Sequence, residues 1–286
     1  MKFSLVLATV GRTAEVGHFL KTLDCQTYRD FQLIVVDQNP DDRLKALLEP
    51  YQNRFPIVHL RSALGLSRAR NMALEHIAGD IVAFPDDDCA YSPDLLEQVA
   101  GFLTLHSEWN GLVGRAVDEQ GRDSSGRWHH QAGPVNRFNV WRRGTSYTIF
   151  LRRTVVVAVG AFDESLGVGA RTPWGSGEDI DYLLRALEAG LYYDPTVTVL
   201  HPVEVIHPEP IQVDPGVGRR FAKTYSYAMG RGRLLRKHSY PLWFVAYNWA
   251  RPLAGVTLTL LQGRLENTQS HWATFQGRLQ GWLGWA

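Results

Sequence analysis

The stretch Ile81-Val82-Ala83-Phe84-Pro85-Asp86-Asp87-Asp88 carries most of the information about the fold. Its apolar run, preceded by Gly79-Asp80, predicts a buried strand, and three consecutive acids follow that strand. Adjacent carboxylates repel one another, so they need either full exposure to water or a positive partner. Because carboxylate oxygen suits Mg²⁺ or Mn²⁺, the stretch indicates either a cation site or an acidic surface turn.

Working outward, apolar runs predict strands at residues 3–8, 31–36, 57–60 and 81–84, with helical patterns between them. Strands that alternate with helices at this spacing indicate βαβ units and a mostly parallel sheet flanked by helices. In such sheets, ligands bind beyond the carboxyl ends of the strands. The polar side chains expected to gather at those ends are Thr9, Arg12, Asp37 and Asp86–Asp88.

The second half of the sequence contains a polar loop and an acidic helix start. Residues 118–137 are rich in glycine and polar residues and predict a mobile loop over the site. Further strands are predicted at 111–117, 147–151 and 197–200. A glycine-rich loop then leads to Glu178-Asp179, where two acids at a helix start match the helix dipole. Taken by itself, the pair is better explained by a plain helix N-terminus than by a catalytic role.

The bulk composition is that of a globular protein. The chain has 286 residues, 45% hydrophobic and 21% charged, which suffices for one large domain or one and a half. Two cysteines, Cys25 and Cys89, are too few for a disulfide framework, so a reducing cytosol fits best. The apolar run at the N-terminus is too short for a secretory signal and is predicted to be the first strand. We find no nucleic-acid-binding module.

Charge is distributed unevenly along the chain. From Pro215 onward, ten lysines and arginines face a single acid, Glu266. This tail therefore carries a net +9, which leaves −8 for the remainder of a chain whose net charge is +1. An acidic body with a basic tail indicates that the tail meets something anionic, such as phospholipid headgroups or a polyanionic acceptor.

The ordered combination of these motifs resembles glycosyltransferase family 2, the inverting enzymes of the GT-A fold. The resemblance covers roughly residues 3–201, and its pieces are Ala8–Arg12, Val36-Asp37, Gly65–Asn71, Phe84–Asp88, Gly160–Glu164 and Gly177–Asp181. It implies an α/β, Rossmann-like GT-A domain at residues 1–214 and a basic, aromatic, helical extension at 215–286. Within the domain, residues 1–115 are expected to bind the nucleotide-sugar and residues 116–214 the acceptor.

The resemblance also implies roles for the acids at the strand ends. Asp37 is expected to hydrogen-bond the nucleotide base, Asp86 to lie near the ribose, and Asp88 to hold a Mn²⁺ or Mg²⁺ ion on the diphosphate. Asp87 lies between the last two. Asp86 and His201, which follows the last strand, are the further expected metal ligands, and His207 competes with His201 for that role.

The remaining expected site residues come from the loop and helix motifs. Asp179 is the expected general base that deprotonates the acceptor hydroxyl, with Glu178 beside it. Trp174 is expected either to stack on a sugar face or to form part of the core. Arg68, Arg70 and Asn71 share one helix, and one of them is expected to face the diphosphate or the base. The full set expected to bind the nucleotide-sugar is Thr9, Arg12, Asp37, Arg68, Arg70, Asn71, Asp86 and Asp87.

The function implied is transfer of a sugar from a nucleotide diphosphate, most simply UDP, to a hydroxyl of a saccharide or lipid-linked saccharide during glycan synthesis. Inversion would follow from one direct displacement. A sugar-nucleotide pyrophosphorylase is an alternative, although residues 9–13 lack its glycine-rich phosphate loop. A non-catalytic saccharide-binding protein is the second alternative, and the complete set of acids argues against it.

The tail has the features of a membrane-surface segment. Residues 242–261 approach the ~20 residues of a spanning helix, but Arg251 and Pro252 near the middle predict two shorter pieces instead, 242–250 and 253–261. Aromatic and leucine side chains then recur at helical spacing at Trp272, Phe275, Leu279 and Trp282. This pattern predicts an in-plane helix and a cytoplasmic enzyme peripheral to the inner face of the cell membrane. A homodimer contact and a cap on the catalytic core are the alternatives.

Overall fold

A computed structural model describes residues 1–201 and 217–284, with the side chains of 217–220 excepted. The chain forms two compact units. The sheet unit comprises Met1–Leu64, Arg68–Phe162 and Tyr182–Pro208, and the helical unit comprises Gly65–Ser67, Asp163–Asp181 and Glu209–Ala286. The predicted domain boundary between residues 214 and 215 lies outside the described residues and stays a prediction.

The sheet unit is built on eight strands. They are β1 (Phe3–Thr9), β2 (Phe31–Asp37), β3 (Ile57–Arg61), β4 (Ile81–Ala83), β5 (Gly111–Val117), β6 (Gly133–Pro134), β7 (Ile149–Arg152) and β8 (Leu191–Leu200). Their order in the sheet is β3-β2-β1-β4-β7-β5-β8-β6. β1 to β4 are mutually parallel, as are β5 and β8, whereas β7 and β6 run antiparallel to their neighbours. The prediction of a mostly parallel α/β sheet is confirmed.

Nine α-helices accompany the strands in the described part of the chain. They are α1 (Ala14–Asp24), α2 (Lys45–Leu48), α3 (Leu66–Leu74), α4 (Leu95–Leu105), α5 (Arg153–Val159), α6 (Glu178–Ala186), α7 (Val217–Lys237), α8 (Leu242–Leu261) and α9 (Leu265–Leu283). Short 3₁₀ helices lie at Glu49–Tyr51, Val140–Arg142, Ser146–Thr148 and Leu187–Ala189. The helical C-terminal segment predicted from the sequence is thus present as α7, α8 and α9.

Burial explains why the first strands form where they do. All seven residues of β2 are buried, and so are all but one of the residues of β1. This is expected for parallel strands that helices cover on both faces. α1 buries one face, formed by Val16, Phe19, Leu20 and Leu23. The register aligns Thr9 with Asp37 and Asp37 with Arg61, so polar residues at three strand ends lie side by side.

Two segments differ from the sequence predictions. β8 begins at Leu191 rather than at residue 197, because a register shift opposite Val113 and Arg115 lets the strand continue through Pro195. Such irregularities are where a sheet tolerates proline. The polar loop at 118–137 is not wholly outside the sheet either, since β6 pairs with β8 at its edge and Trp128 is buried.

The helical unit depends on close contact between α7 and α9. A Cβ added to Gly281 would lie 2.1 Å from the carbonyl oxygen of Met229, and one added to Gly277 would lie 2.5 Å from that of Tyr225. These glycines are one helical turn apart on α9. Their lack of a side chain lets the two helix backbones touch.

α8 is one continuous helix, so the prediction of two shorter pieces is wrong. Pro252 lies inside it and cannot donate the hydrogen bond that the carbonyl of Asn248 would normally accept. Nη1 of Arg278, on α9, donates to that carbonyl oxygen at 2.7 Å instead. Because the carbonyl freed by the proline has a partner, the helix continues through it. In the described parts of the chain, no helix combines the length and the apolar character needed to cross a membrane.

The close contact of α7 with α9 can be tested by Gly281→Ala. The new methyl group would collide with backbone, so the free energy of unfolding should fall by about 1–3 kcal/mol, as measured by urea denaturation. Gly101→Ala on α4 is the matched control, because a Cβ there has no neighbour within 4 Å. It should leave stability unchanged or raise it by up to about 1 kcal/mol. Equal shifts in the two variants would contradict the packing.

Candidate active site

Asp87 is the buried centre of the acid cluster that follows β4. Its Oδ2 accepts a hydrogen bond from Oγ1 of Thr9 at 2.6 Å, and its Oδ1 pairs with Nη1 of Arg12 at 2.5 Å. Burial raises the pKa of Asp87 to about 6, although Arg12 and Thr9 both favour the charged form. Thr9 and Arg12, which follow β1, are therefore held against the acids that follow β4.

Asp88 lies between two basic side chains. Nη1 of Arg12 is 2.5 Å from its Oδ2, and Nε2 of His201 is 3.4 Å from its Oδ1. Burial would raise the pKa of Asp88, but His201 and Arg12 outweigh it and lower that pKa to about 2. The His201 ring stacks on Tyr147 with the ring centroids 4.8 Å apart, which fixes its orientation. Asp88 is consequently an ionised carboxylate at neutral pH.

Asp86 is the most exposed of the three acids. Its Oδ1 is 3.1 Å from Nη2 of Arg70 and 3.2 Å from Oγ of Ser146. Arg70 is almost completely buried, and its guanidinium lies over the ring of Phe162. The sequence predictions missed Ser146, and nothing in the sequence around it singled it out.

The three candidates on α3 have different surroundings. Arg70 contacts the acid cluster, whereas Arg68 is exposed. The side chain of Asn71 makes two hydrogen bonds with the backbone of Phe162, at 3.0 and 2.7 Å. Asn71 therefore fixes the backbone of Phe162 to α3, and Arg70 is the candidate on this helix that pairs with Asp86.

Asp37 is fully buried and makes hydrogen bonds through both oxygens. Oδ1 accepts bonds from the backbone and side chain of Asn39, and Oδ2 lies 2.6 Å from Nη1 of Arg61 and 3.2 Å from Nε2 of His59. Burial would raise the pKa of Asp37, but the bonds from Asn39, Arg61 and His59 lower it. His59 and Arg61 are new members of the site. The alternation of side chains along β3 places both on one face, which is a signal that the sequence contained.

Protein side chains offset the repulsion within the acid cluster. Arg12, Arg70 and His201 each lie next to one or two of the carboxylates. No three of the histidine, cysteine, aspartate and glutamate side chains within residues 1–201 and 217–284 form a ready-made metal site. His207, the competing ligand, lies outside the described residues.

The donor set nevertheless fits a hard divalent cation. The carboxylate of Asp88 and the imidazole of His201 are adjacent, and Asp86 offers a further oxygen close by in sequence. Mg²⁺ commonly takes one or two carboxylates and completes its shell with substrate phosphates and water. Cys89 is buried, and burial raises the pKa of its thiol well above the ordinary range, so it is a packing residue.

The acid pair Glu178-Asp179 lies in the helical unit, at the start of α6. Glu178 is buried beside Gly167, where a Cβ would lie 2.8 Å from its Oε2. Asp179 is half-buried, and its Oδ1 accepts a hydrogen bond from the backbone N–H of Ile180 at 2.7 Å. Asp179 is thus the more accessible of the two carboxylates.

A buried ion-pair cluster fixes the start of α6 to the end of α7. Asp181 is fully buried, and its Oδ1 lies 2.7 Å from Nζ of Lys237 and 2.8 Å from Nε2 of His238. Lys237 also contacts Asp163, at 2.7 Å. The sequence predictions missed this cluster, because its partners are 56 or more residues apart and nothing links them in the sequence.

The loop before the acid pair is attached to α7 as well. Oγ of Ser226 donates to the carbonyl oxygen of Pro173 at 3.0 Å and accepts from the backbone N–H of Gly175 at 3.1 Å. The guanidinium of Arg233 lies 4.6 Å from the centroid of the Trp174 ring. Glu178, Asp179 and Trp174 therefore share one unit with the tail, while the cluster Asp86–Asp88 belongs to the sheet unit.

Comparison with known proteins yields one family. The family model described as "Glycosyl transferase family 2" matches residues 4–162. The chain is similar to glycosyltransferase AglE of Haloferax volcanii, with 25% identity over 215 residues that cover 72% of this chain and 66% of the relative. The matched segment spans 66%, 29% and 23% of the lengths of three curated relatives.

Solved structures share the fold. TarS residues 1–349 of Staphylococcus aureus, in complex with UDP-GlcNAc, has a TM-score of 0.62 at 17% identity, covering 98% of this chain and 92% of that one. The mannosyltransferase PcManGT of Pyrobaculum calidifontis, in complex with GDP-Man and Mn²⁺, has a TM-score of 0.61 at 14% identity, covering 100% and 88%. At these identities the likeness concerns the fold alone.

The ion-pair cluster at the start of α6 predicts the effect of Lys237→Met. Loss of one partner leaves the buried carboxylate of Asp181 undercompensated, which costs about 3–5 kcal/mol when no other cation remains. Because His238 stays, we expect the free energy of unfolding to fall by about 2 kcal/mol in urea denaturation. Lys223→Met, at an exposed position of the same helix, is the control and should change stability little. Asp181→Asn added to Lys237→Met should recover part of the loss. A double variant less stable than Lys237→Met would disprove the interpretation.

Proposed function

Because the chain belongs to glycosyltransferase family 2, we propose that it transfers a sugar from a nucleotide diphosphate donor to a hydroxyl group of a saccharide or lipid-linked saccharide. The observation that carries the proposal is the cluster Asp86–Asp88 at the end of β4, held by Arg12 at the end of β1. Parallel α/β sheets bind ligands at this edge. A UDP-sugar is the donor that we favour, and the UDP-GlcNAc complex of TarS supports that choice.

The donor is proposed to bind along the carboxyl ends of β1, β2 and β4. Asp37 would accept a hydrogen bond from the nucleotide base, and His59 and Arg61 would hold its buried carboxylate in place. Asp86 would lie near the ribose, and the hydrogen bond from Arg70 would orient it. Thr9 and Arg12 would fix Asp87 and Asp88 in the orientation that the diphosphate needs.

A Mn²⁺ or Mg²⁺ ion is the proposed cofactor, held by Asp88 and His201 with Asp86 nearby. Its chemistry there would be to neutralise charge on the leaving diphosphate. The Mn²⁺ complex of PcManGT supports the proposal. Asp88 suits the task because Arg12 and His201 keep it ionised down to low pH.

Asp179 is the proposed general base. It would take the proton of the acceptor hydroxyl as that oxygen attacks the anomeric carbon. One direct displacement inverts the configuration, so an α-linked donor would give a β-linked product. Asp179 is more exposed than Glu178 and Asp181, which supports it over its neighbours. Trp174, held by Arg233, is proposed to stack on a sugar face of the acceptor or donor.

The acceptor is proposed to be a growing glycan or a lipid-linked precursor. TarS, a relative of this chain, is named a poly(ribitol-phosphate) β-N-acetylglucosaminyltransferase, which supports transfer to a polymer. The basic tail would bring the enzyme to the inner face of the cell membrane, where a lipid-linked acceptor is confined.

Metal dependence is tested by Asp88→Asn. Loss of the carboxylate charge should weaken Mn²⁺-dependent UDP binding at least tenfold in calorimetry, about 1.4 kcal/mol, and sharply reduce release of UDP from the donor. Asp30→Asn, an exposed acid that precedes β2, is the control and should bind UDP and Mn²⁺ normally. A wild-type protein that turns over donor at its full rate in EDTA would rule out the cofactor.

The base is tested by Asp179→Asn. This variant keeps size and helix placement but cannot take a proton, so kcat should fall about a hundredfold or more with donor affinity unchanged. Glu188→Gln, an exposed acid just beyond α6, is the control and should retain activity. If Glu178→Gln is inactive and Asp179→Asn is active, the base is Glu178. A protein with no donor turnover under any metal and donor condition would instead be a saccharide-binding protein.

A further inference from the structure

One side of α8 is an exposed apolar surface, which we call the α8 face. Its large members are Leu242, Trp243, Tyr247, Leu253, Leu258, Leu260 and Leu261. Leu261 is 83% exposed, Leu242 73% and Trp243 62%, so these side chains project from the unit rather than filling gaps in it. The opposite side of the helix is buried at Phe244, Val245, Asn248, Pro252 and Thr259. A helix of 20 residues is about 30 Å long, so the surface is long and continuous.

The apolar face has a basic group at its middle. Arg251 is the one charged residue of α8, and it is exposed near the middle of the helix, one turn after Tyr247. Arg231 and Arg278 flank the same turn, because both donate to Asn248: Nε of Arg231 to its Oδ1 at 2.8 Å, and Nη1 of Arg278 to its carbonyl oxygen at 2.7 Å. Three arginines therefore converge from α7, α8 and α9.

This arginine group lies in the most basic part of the chain. Glu266 is the only acid from residue 215 onward. Burial, followed by the proximity of the other arginines, lowers the pKa of Arg231 to about 9 and that of Arg278 to about 10. An anion beside the exposed Arg251 would offset the mutual repulsion of the arginines.

We propose that the α8 face docks on the surface of an anionic phospholipid membrane. The leucines and Trp243 would enter the boundary between headgroups and acyl chains, and Arg251 would meet the lipid phosphates. Apolar side chains at both ends of the helix with a basic centre match such a surface. The inference deepens the proposed function, on which it rests only for the lipid-linked acceptor.

The proposed docking surface is on α8 rather than on α9, where the sequence suggested it. Ala273, Gly277 and Gly281 of α9 are buried, and Trp282 packs edge-on against Trp249 of α8 at 5.3 Å. Phe275, Leu279 and Trp282 are partly covered, and only Trp272 of that pattern is exposed. The aromatics of α9 thus mainly stabilise the helical unit.

A second copy of the chain fits the α8 face less well than a membrane does. A twofold contact centred on α8 would bring Arg251 close to its own symmetry mate, with Arg231 and Arg278 of both copies nearby. Like charges at the centre of an apolar contact oppose association. A soluble polyanion would satisfy the arginines but would leave the leucines and Trp243 in water.

The test is flotation of the full chain with phosphatidylcholine vesicles that contain or lack phosphatidylglycerol, at low salt. The wild-type protein should float with the anionic vesicles and not with the neutral ones. Arg251→Gln should weaken partitioning about fivefold, which corresponds to about 1 kcal/mol for one basic residue near such a surface. Trp243→Gln with Leu258→Gln should weaken it at least as much.

Matched controls are available on the sheet unit. Leu105→Gln removes an apolar side chain that is 80% exposed, and Arg153→Gln removes an exposed charge. Both should float like the wild type. Thermal unfolding checks that every variant is folded, and donor hydrolysis without vesicles checks the catalytic site separately.

Three outcomes would overturn the proposal. The first is a wild-type protein that does not float, or α8 variants that float as the controls do. The second is a loss of binding in Arg251→Gln but not in Trp243→Gln with Leu258→Gln, which would indicate a soluble polyanion. The third is a dimer by analytical ultracentrifugation that the α8 variants convert to a monomer. Flotation without donor turnover would instead reject the proposed function and leave the docking intact.

Discussion

Repulsion among three carboxylates at the end of β4 is the constraint on which the sheet unit depends. Their charges are offset by side chains from three other elements: Arg12 after β1, Arg70 on α3 and His201 after β8. Arg12 contacts both Asp87 and Asp88, but Arg12 and His201 lower the pKa of Asp88 to about 2, whereas burial raises that of Asp87 to about 6. The cluster therefore holds its shape through protein contacts, and a cation that arrives with the diphosphate would find the acids already in position.

The helical unit repeats this principle with a single acid. Asp181, two residues after Asp179, is buried. Lys237 at the end of α7 pairs with its carboxylate, and the ring of His238 makes a hydrogen bond with it. Ser226 on the same helix holds the loop before α6. The tail, which the sequence suggested as an extension, thus supports the segment that carries the proposed base. The tail could both support this segment and bind a membrane surface, because different helices are involved. α7 contacts the segment, and the outer side of α8 would contact the membrane.

The sequence was most informative where burial is periodic. The strands predicted at 3–8 and 31–36 followed from apolar spacing alone, and the structure extends each of them by one residue. It was least informative where a contact joins distant residues: the partners of Asp181 are 56 and 57 residues away, and Ser146 lies 60 residues from Asp86. His59 and Arg61 could have been predicted as members of the site, because side chains alternate along β3 and its register with β2 places these two beside Asp37. The prediction that Pro252 would divide α8 was wrong because it considered only hydrogen bonds within that helix. The carbonyl oxygen of Asn248 accepts a hydrogen bond from Arg278 of α9 instead.

The hydrogen bond from Arg278 to Asn248 affects the order in which the helices of the tail fold. The carbonyl of Asn248 finds its donor, Arg278, 30 residues further along the chain. Until α9 folds back on α7, the middle of α8 lacks a bond that every other turn of the helix can form locally. Formation of α8 and docking of α9 are therefore coupled, and the three helices should assemble in one cooperative step. Local helix propensity alone would leave α8 as two fraying halves joined at the proline.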